Sequence, residues 1–121
     1  MLILIPISFF GLRILFDLSN PLRQPVTQIR EELLEFTPIG MSINEVGQII
    51  RDNEAWGWNG HIAPNGFPAD PTFRVLIGSQ SIRASLGGFN NIFWTSVIAR
   101  WGFDEDGKLI DIHVEKHIAG W

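Results

Sequence analysis

Cysteine is absent from this 121-residue chain, which excludes disulfides, thiolate metal sites, a cysteine nucleophile and a lipidated N-terminal cysteine. Tyrosine is absent too, although five Trp and nine Phe are present. Lysine occurs only at positions 108 and 116. Nine Lys and Arg stand against 13 Asp and Glu without any basic stripe, which disfavours nucleic acid, because phosphate contacts need clustered cations. Gly87-Gly88 is no phosphate cradle, since no GK[ST] follows it and no helix begins there.

What is there describes one modest domain behind an apolar leader. Hydrophobic residues at 45% and charged residues at 18% exclude an intrinsically disordered chain. "MLILIPISFFGLRILF", residues 1–16, is apolar apart from Ser8 and Arg13. As a helix it would span roughly 24 Å, short of the roughly 30 Å hydrocarbon layer. It reads as a membrane anchor or an uncleaved signal-like segment, with a buried element of the fold as the competing reading. Arg13, Arg23 and Arg30 follow and no cation precedes, which by the positive-inside rule argues for a cytoplasmic domain. Residues 17–25 have the polar and proline content of a linker, leaving 26–121 as a single domain.

Within that domain Val26, Ile29, Leu33 and Phe36 recur at helical spacing between Pro25 and Thr37-Pro38. Ser42 followed by Glu45 is a capping box opening a second helix with Ile43, Val46, Ile49 and Ile50 on its apolar side. Gly47 inside it implies close approach of another backbone, and Asn53 suits a left-handed close. Residues 54–71 are loop-like. Phe73, Val75 and Ile77 then alternate, answered by Ile82, Ala84 and Leu86 across a turn near Ser79-Gln80, and "GGFNN" turns the chain again. The expected fold is α+β, two N-terminal helices on one face of a four-stranded antiparallel meander.

The last two strands lie either side of "DEDG". Two turn lengths fit this stretch. A three-residue loop sets Trp101 opposite Asp111. A four-residue loop from Asp104 to a left-handed Gly107 sets Trp101 opposite Ile110, Ala99 opposite Ile112 and Val97 opposite Val114. The second collects the apolar side chains on one face, each worth roughly 1.5–3 kcal/mol on burial, and is preferred. Its other face pairs Arg100 with Asp111, Ile98 with His113, Ser96 with Glu115 and Trp94 with His117. Arg74, Leu76 and Arg83 join this surface if the first hairpin keeps its apolar side inward. An indole and arginines on an open sheet are residue types enriched at interface hot spots. Trp94, Ile98, Arg100, Arg74, Arg83, His113 and His117 are therefore the expected partner-binding residues, with the loop tryptophans Trp56 and Trp58, near Phe67, as secondary candidates.

No catalytic, metal or cofactor set emerges. His113 and His117 share a face but lie four strand residues, roughly 13 Å, apart, too far for one metal ion, and only the loop could bring His61 near. Ser96, His113 and Asp111 form a triad on paper without a nucleophile turn or oxyanion-hole pattern. "DEDG" lacks the spaced ligands of a calcium loop.

"TPIGMSINEV" followed by "WTSVIARWGFDEDGKLIDIHVEKH" resembles a group of uncharacterised bacterial proteins with an N-terminal membrane segment and a small soluble domain. "IGMSINEV" also resembles the glycine-then-capped-helix motif of the SmpA/OmlA (BamE-like) and β-lactamase-inhibitor-like folds. The resemblance covers about residues 37–116 in element order and two short motifs in residues. It departs in the missing lipidated cysteine and in "IIRDNEAWGW", where an "LG-x-P" stretch is expected. It implies a bacterial, membrane-associated protein that binds a protein partner through its sheet or loops without catalysis. The expected function is thus a non-enzymatic, membrane-tethered binding module acting through the open sheet face. A soluble immunity- or inhibitor-type protein is the alternative, and a small hydrolase using His113 or His117 the third reading.

Overall fold

The computed structural model describes residues 20–68 and 76–118. The apolar stretch 1–16, Arg74, Phe73 and Val75 lie outside the described residues. Among the described residues no helix is long and apolar enough to cross a membrane.

Helix α1 (Val26–Phe36) follows a short 3-10 turn at Pro21–Arg23. Pro25 occupies its N-cap, where a missing N–H costs nothing. Thr37 closes it: the Thr37 amide and hydroxyl both donate to the Leu33 carbonyl, at 2.8 Å each. In α2 (Ile43–Asp52) the Ser42 hydroxyl accepts from the Glu45 amide (3.2 Å) and donates to the Glu45 carboxylate (2.8 Å). Gly47 does admit a close neighbour, but a side chain rather than a backbone: a Cβ there would sit 3.3 Å from the Trp58 ring. Asn53 is extended (φ −94°), not left-handed, and its amide donates to the Ile50 carbonyl.

Five strands follow: β1 (Phe67–Pro68), β2 (Leu76–Ile77), β3 (Gln80–Asn91), β4 (Phe93–Phe103) and β5 (Leu109–Ile118). They form two antiparallel sheets, β1-β2 and β3-β4-β5, so the fold is α+β but the four-stranded meander is corrected to a ribbon of two strands and a sheet of three. Glycine explains the split. At Gly102 a Cβ would meet the Phe67 ring at 2.8 Å and the Ile77 carbonyl oxygen at 2.9 Å. At Gly78, whose φ is +86°, it would meet the Phe103 backbone at 2.8 Å. The ribbon therefore crosses the end of β4 in close contact instead of extending the sheet. "GGFNN" is likewise not a turn. It continues β3 past a bulge between Ser85 and Gly87, and the chain reverses at Ile92.

The β4–β5 register also differs from expectation. Phe103 pairs with Leu109 across a five-residue turn, Asp104 to Lys108, in which the Asp104 carboxylate accepts from the amides of Asp106 and Lys108, both at 2.9 Å. A bulge then sets Ile110 aside, so Trp101 pairs with Ile112, Ala99 with Val114 and Val97 with Lys116. From Ile112 to Val114 the faces are as expected and the partners move by two; at Leu109 and Ile110 the faces exchange. Leu109 enters the core, while Ile110 is 42% exposed rather than inward.

The core lies between this sheet and the helices, where Ile29, Leu33, Val46 and Ile50 join Ile82, Ala84, Val97, Ala99, Trp101, Ile112 and Val114. Trp101 is its centre. Its Nε1 donates to the Thr37 hydroxyl (3.0 Å), and Trp56 packs against it at 6.1 Å between centroids. Both sheet edges are covered in part. Arg30 Nε donates to the Ile112 carbonyl (2.8 Å) along β5, and Gly57 and Ala63 bridge Ser85 and Ser81 of β3. Replacing Thr37 by Val keeps the shape but leaves the buried Trp101 N–H without its acceptor. That change is expected to lower unfolding free energy by about 1–3 kcal/mol in urea titrations, and an unchanged midpoint contradicts this role for the hydroxyl.

Candidate functional site

Alternation along β3, β4 and β5 sends the residues between core positions to the outer face, and the register arranges them in rows. Arg83, Arg100 and His113 form one row; Ser85, Ile98 and Glu115 form the next. Ser96 lies opposite His117, and Trp94 lies beyond, its ring over Gly88. Arg100 pairs with Glu115, whose other oxygen meets His117 Nε2 at 3.2 Å.

Asp111 is not the partner of Arg100. The Ile110 bulge moves it opposite Gly102, and Arg30 of α1 takes it at 2.5 Å. The paper triad also dissolves, because Ser96 and His113 are now four residues apart along the sheet. Among the described residues no cluster of three or more His, Cys, Asp or Glu could hold a metal ion.

The expected residues are brought together in part. Arg83, Arg100 and His113 are contiguous, and His117 joins through Glu115. Ile98 is 7% exposed and offers little surface, while Trp94 is 47% exposed at the far end of the face. Trp56 is in the core. Phe67 is buried over the turn end of the face, stacked on His113 with ring centroids 5.9 Å apart. The outer face is thus open at Trp94 and Arg83, closed over Ile98, and covered by Phe67 beyond Arg100. Trp58 instead lines a cleft of about 390 Å³ with Gly57, Asn59, His61, Ala63, Ser81 and Arg83. Its indole donates to the His61 carbonyl (2.9 Å) and lies under the Arg51 guanidinium (4.9 Å). Arg83 belongs to both the row and the cleft, which makes it the centre of the candidate surface.

The electrostatics are unbalanced at that centre. Arg83 and Arg100 are directly opposed on neighbouring strands, an arrangement of like charges that destabilises a sheet. Burial, and then the Arg83 charge, pull Arg100 below the usual arginine value. Among the described residues no carboxylate pairs with Arg83. Burial pushes His113 below the usual histidine range, the Arg100 charge adds to this, and Asp111 partly opposes it. His113 is therefore largely neutral at pH 7. Sequence reasoning listed Glu115 on this face but missed its role in tying Arg100 to His117, because the bulge that aligns them has no turn residue to announce it.

Comparison with known proteins returned no match, neither to a family model nor to a curated protein nor to a solved structure.

Depression of His113 has a pH consequence. The unfolded chain binds a proton near pH 6.5, whereas the folded chain resists it until a lower pH. The stability this group contributes is therefore complete above about 6.5 and is lost as pH falls towards the folded value. Urea midpoints measured from pH 8 to pH 5 should fall across that window, and less steeply in His113→Gln. Parallel profiles for the two proteins contradict the assignment.

Proposed function

We propose that this chain is a non-enzymatic binding module, tethered to a membrane by its apolar N-terminal stretch, that receives an acidic protein segment on the outer sheet face and the adjoining Trp58 cleft. The observation behind this reading is that, among the described residues, no carboxylate pairs with Arg83, which is held opposite Arg100 while Glu115 serves Arg100 and His117. A fold stabilises itself better by placing a carboxylate there. A site for an anionic ligand gains from leaving the second arginine free, because its guanidinium can grip a carboxylate with two parallel hydrogen bonds. Trp58 beside it supplies the flat apolar surface common at interface hot spots. The resemblance to BamE-like and inhibitor-like folds supports the same kind of reading, since those folds bind without catalysis.

Arg83 is also the informative residue to change. Arg100→Glu would set two carboxylates together at Glu115, mixing loss of binding with loss of fold. Arg83→Glu replaces a like-charge cross-strand pair with an opposite-charge one, so stability should hold or rise, by up to about 1 kcal/mol. In affinity capture from a membrane fraction, the wild-type chain should enrich a partner that Arg83→Glu loses by roughly 30-fold or more, as expected for about 2–5 kcal/mol at a charge-paired contact. Arg83→Lys should retain part of the capture, and added salt should weaken it. Equal capture by the wild type and Arg83→Glu, with Arg83→Glu melting no lower than the wild type, overturns the proposal.

A further inference from the structure

The end of the sheet opposite the "DEDG" turn has a different character from the rest of the molecule. Asn91 pairs with Phe93 and leaves Ile92 alone at the apex of the β3–β4 hairpin. Ile92 has φ +68°, a left-handed conformation that β-branched residues rarely adopt. It is also 95% exposed. Phe93, Trp94 and, beside them on β5, Ile118 are exposed as well. A solubilising turn would place Asn or Gly at such an apex. This one holds out an isoleucine and two aromatic rings.

Two cations flank the tip. Arg23 donates to the Asn90 carbonyl (2.7 Å), Lys116 donates to the Gln24 carbonyl (2.6 Å), and both lie on the Phe89 ring, at 5.0 and 5.2 Å. With Thr95 and Ile118 they line a cleft of about 350 Å³.

The chain also enters the fold here. The Pro21–Arg23 turn packs against β3 through Leu22, near Gly87, and through Arg23. In the sequence three residues separate the end of the apolar stretch 1–16 from Asn20, just ahead of this turn.

We propose that the Ile92-Phe93-Trp94 tip is a membrane contact, with its side chains set into the interface of an anionic phospholipid bilayer and Arg23 and Lys116 facing the lipid phosphates. Aromatic rings favour the headgroup level, aliphatic groups the acyl boundary, and flanking Arg and Lys the anionic headgroups, an order this end of the molecule reproduces. The inference deepens the tether in the function proposed above and rests on it.

A chain without cysteine allows a direct test. A nitrobenzoxadiazole label on full-length Ile92→Cys, and separately on Phe93→Cys, reports the tip; the same label on Glu105→Cys reports the opposite end. Each protein is mixed with phosphatidylcholine vesicles, with and without phosphatidylglycerol, containing doxyl-labelled lipid as quencher. With phosphatidylglycerol, labels at 92 and 93 should shift to the blue and lose most of their emission, while the label at 105 keeps its own. Adding NaCl, or combining Arg23→Gln with Lys116→Gln, should restore emission at 92 while the chain stays on the vesicles. A vesicle-bound chain with no quenching at 92 and 93 overturns the tip contact and leaves the tether standing. Equal quenching at 92 and 105 overturns it too, as does a blue shift without lipid, which would assign the tip to residues 1–16 or a second copy. A chain that does not float with vesicles at all overturns the tether and the tip contact together.

Discussion

The turn and the bulge between β4 and β5 must cancel in phase, and the core and the outer face both depend on that cancellation. Five residues from Asp104 to Lys108 bring Leu109 against Phe103. If the ladder ran on unbroken, Trp101 would meet Asp111, and every apolar group of β5 beyond the turn would face the side away from the helices. One extra residue, Ile110, restores the phase. The energies favour this strongly, because correct phase buries Ile112 and Val114 at roughly 1.5–3 kcal/mol each, whereas the bulge leaves only Ile110 half-exposed. The same turn also holds α2 in place, since the Gly107 carbonyl accepts from the Ile43 amide at the helix start (2.8 Å).

The shift of two residues rewires the charges. Arg100 finds Glu115 rather than Asp111, and Asp111 is left to Arg30, which at once ties α1 to β5 and satisfies an edge carbonyl. Among the described residues that leaves Arg83, opposite Arg100, without a carboxylate. The imbalance on the outer face therefore follows from the core's need for phase. The ribbon of β1 and β2 limits the face from the other direction, because the side-chain-free Gly102 lets Phe67 settle onto His113.

Much of the scaffold was legible because its signals are local. Pro25, Thr37-Pro38 and the Ser42–Glu45 pair mark both helices within their own sequence, and strict alternation in 95–101 and 112–114 identifies the core side of both strands. Non-local features were not legible. A bulge residue such as Ile110 looks like any strand residue, and a β-branched residue at positive φ, as at Ile92, contradicts its own propensity. "GGFNN" contains turn residues used instead for a bulge at Gly87 and for the seat of the Trp94 ring at Gly88. Trp56 and Trp58 share one motif yet divide between core and cleft, a choice made by Trp101 and Gly47 far along the chain. On the candidate surface, alternation placed Arg100, His113 and His117 correctly by side but not by partner. Ile98 points outward as alternation requires yet is buried, because alternation reports the direction of a side chain and not what stands beside it.

Distance keeps the two proposed surfaces from competing. Six residues separate Trp94 from Arg100 along β4, or about 20 Å at roughly 3.3 Å per residue. The Debye length at physiological salt is about 8 Å, so a bilayer at the tip would hardly act on the Arg83–Arg100 row through solvent. Anionic headgroups would attract Arg23 and Lys116, which sit at the tip, and leave the row to other ligands. On the proposed tip contact, a sheet standing on its hairpin would hold that row beyond the headgroups and turned sideways, towards a protein approaching along the membrane. An arginine pair near the tip would have been saturated by lipid, and one at the "DEDG" end would lie under Phe67. In the middle of the strands the exposed Arg83, with Arg100 half-buried beside it, would stay clear of both Phe67 and the phospholipid.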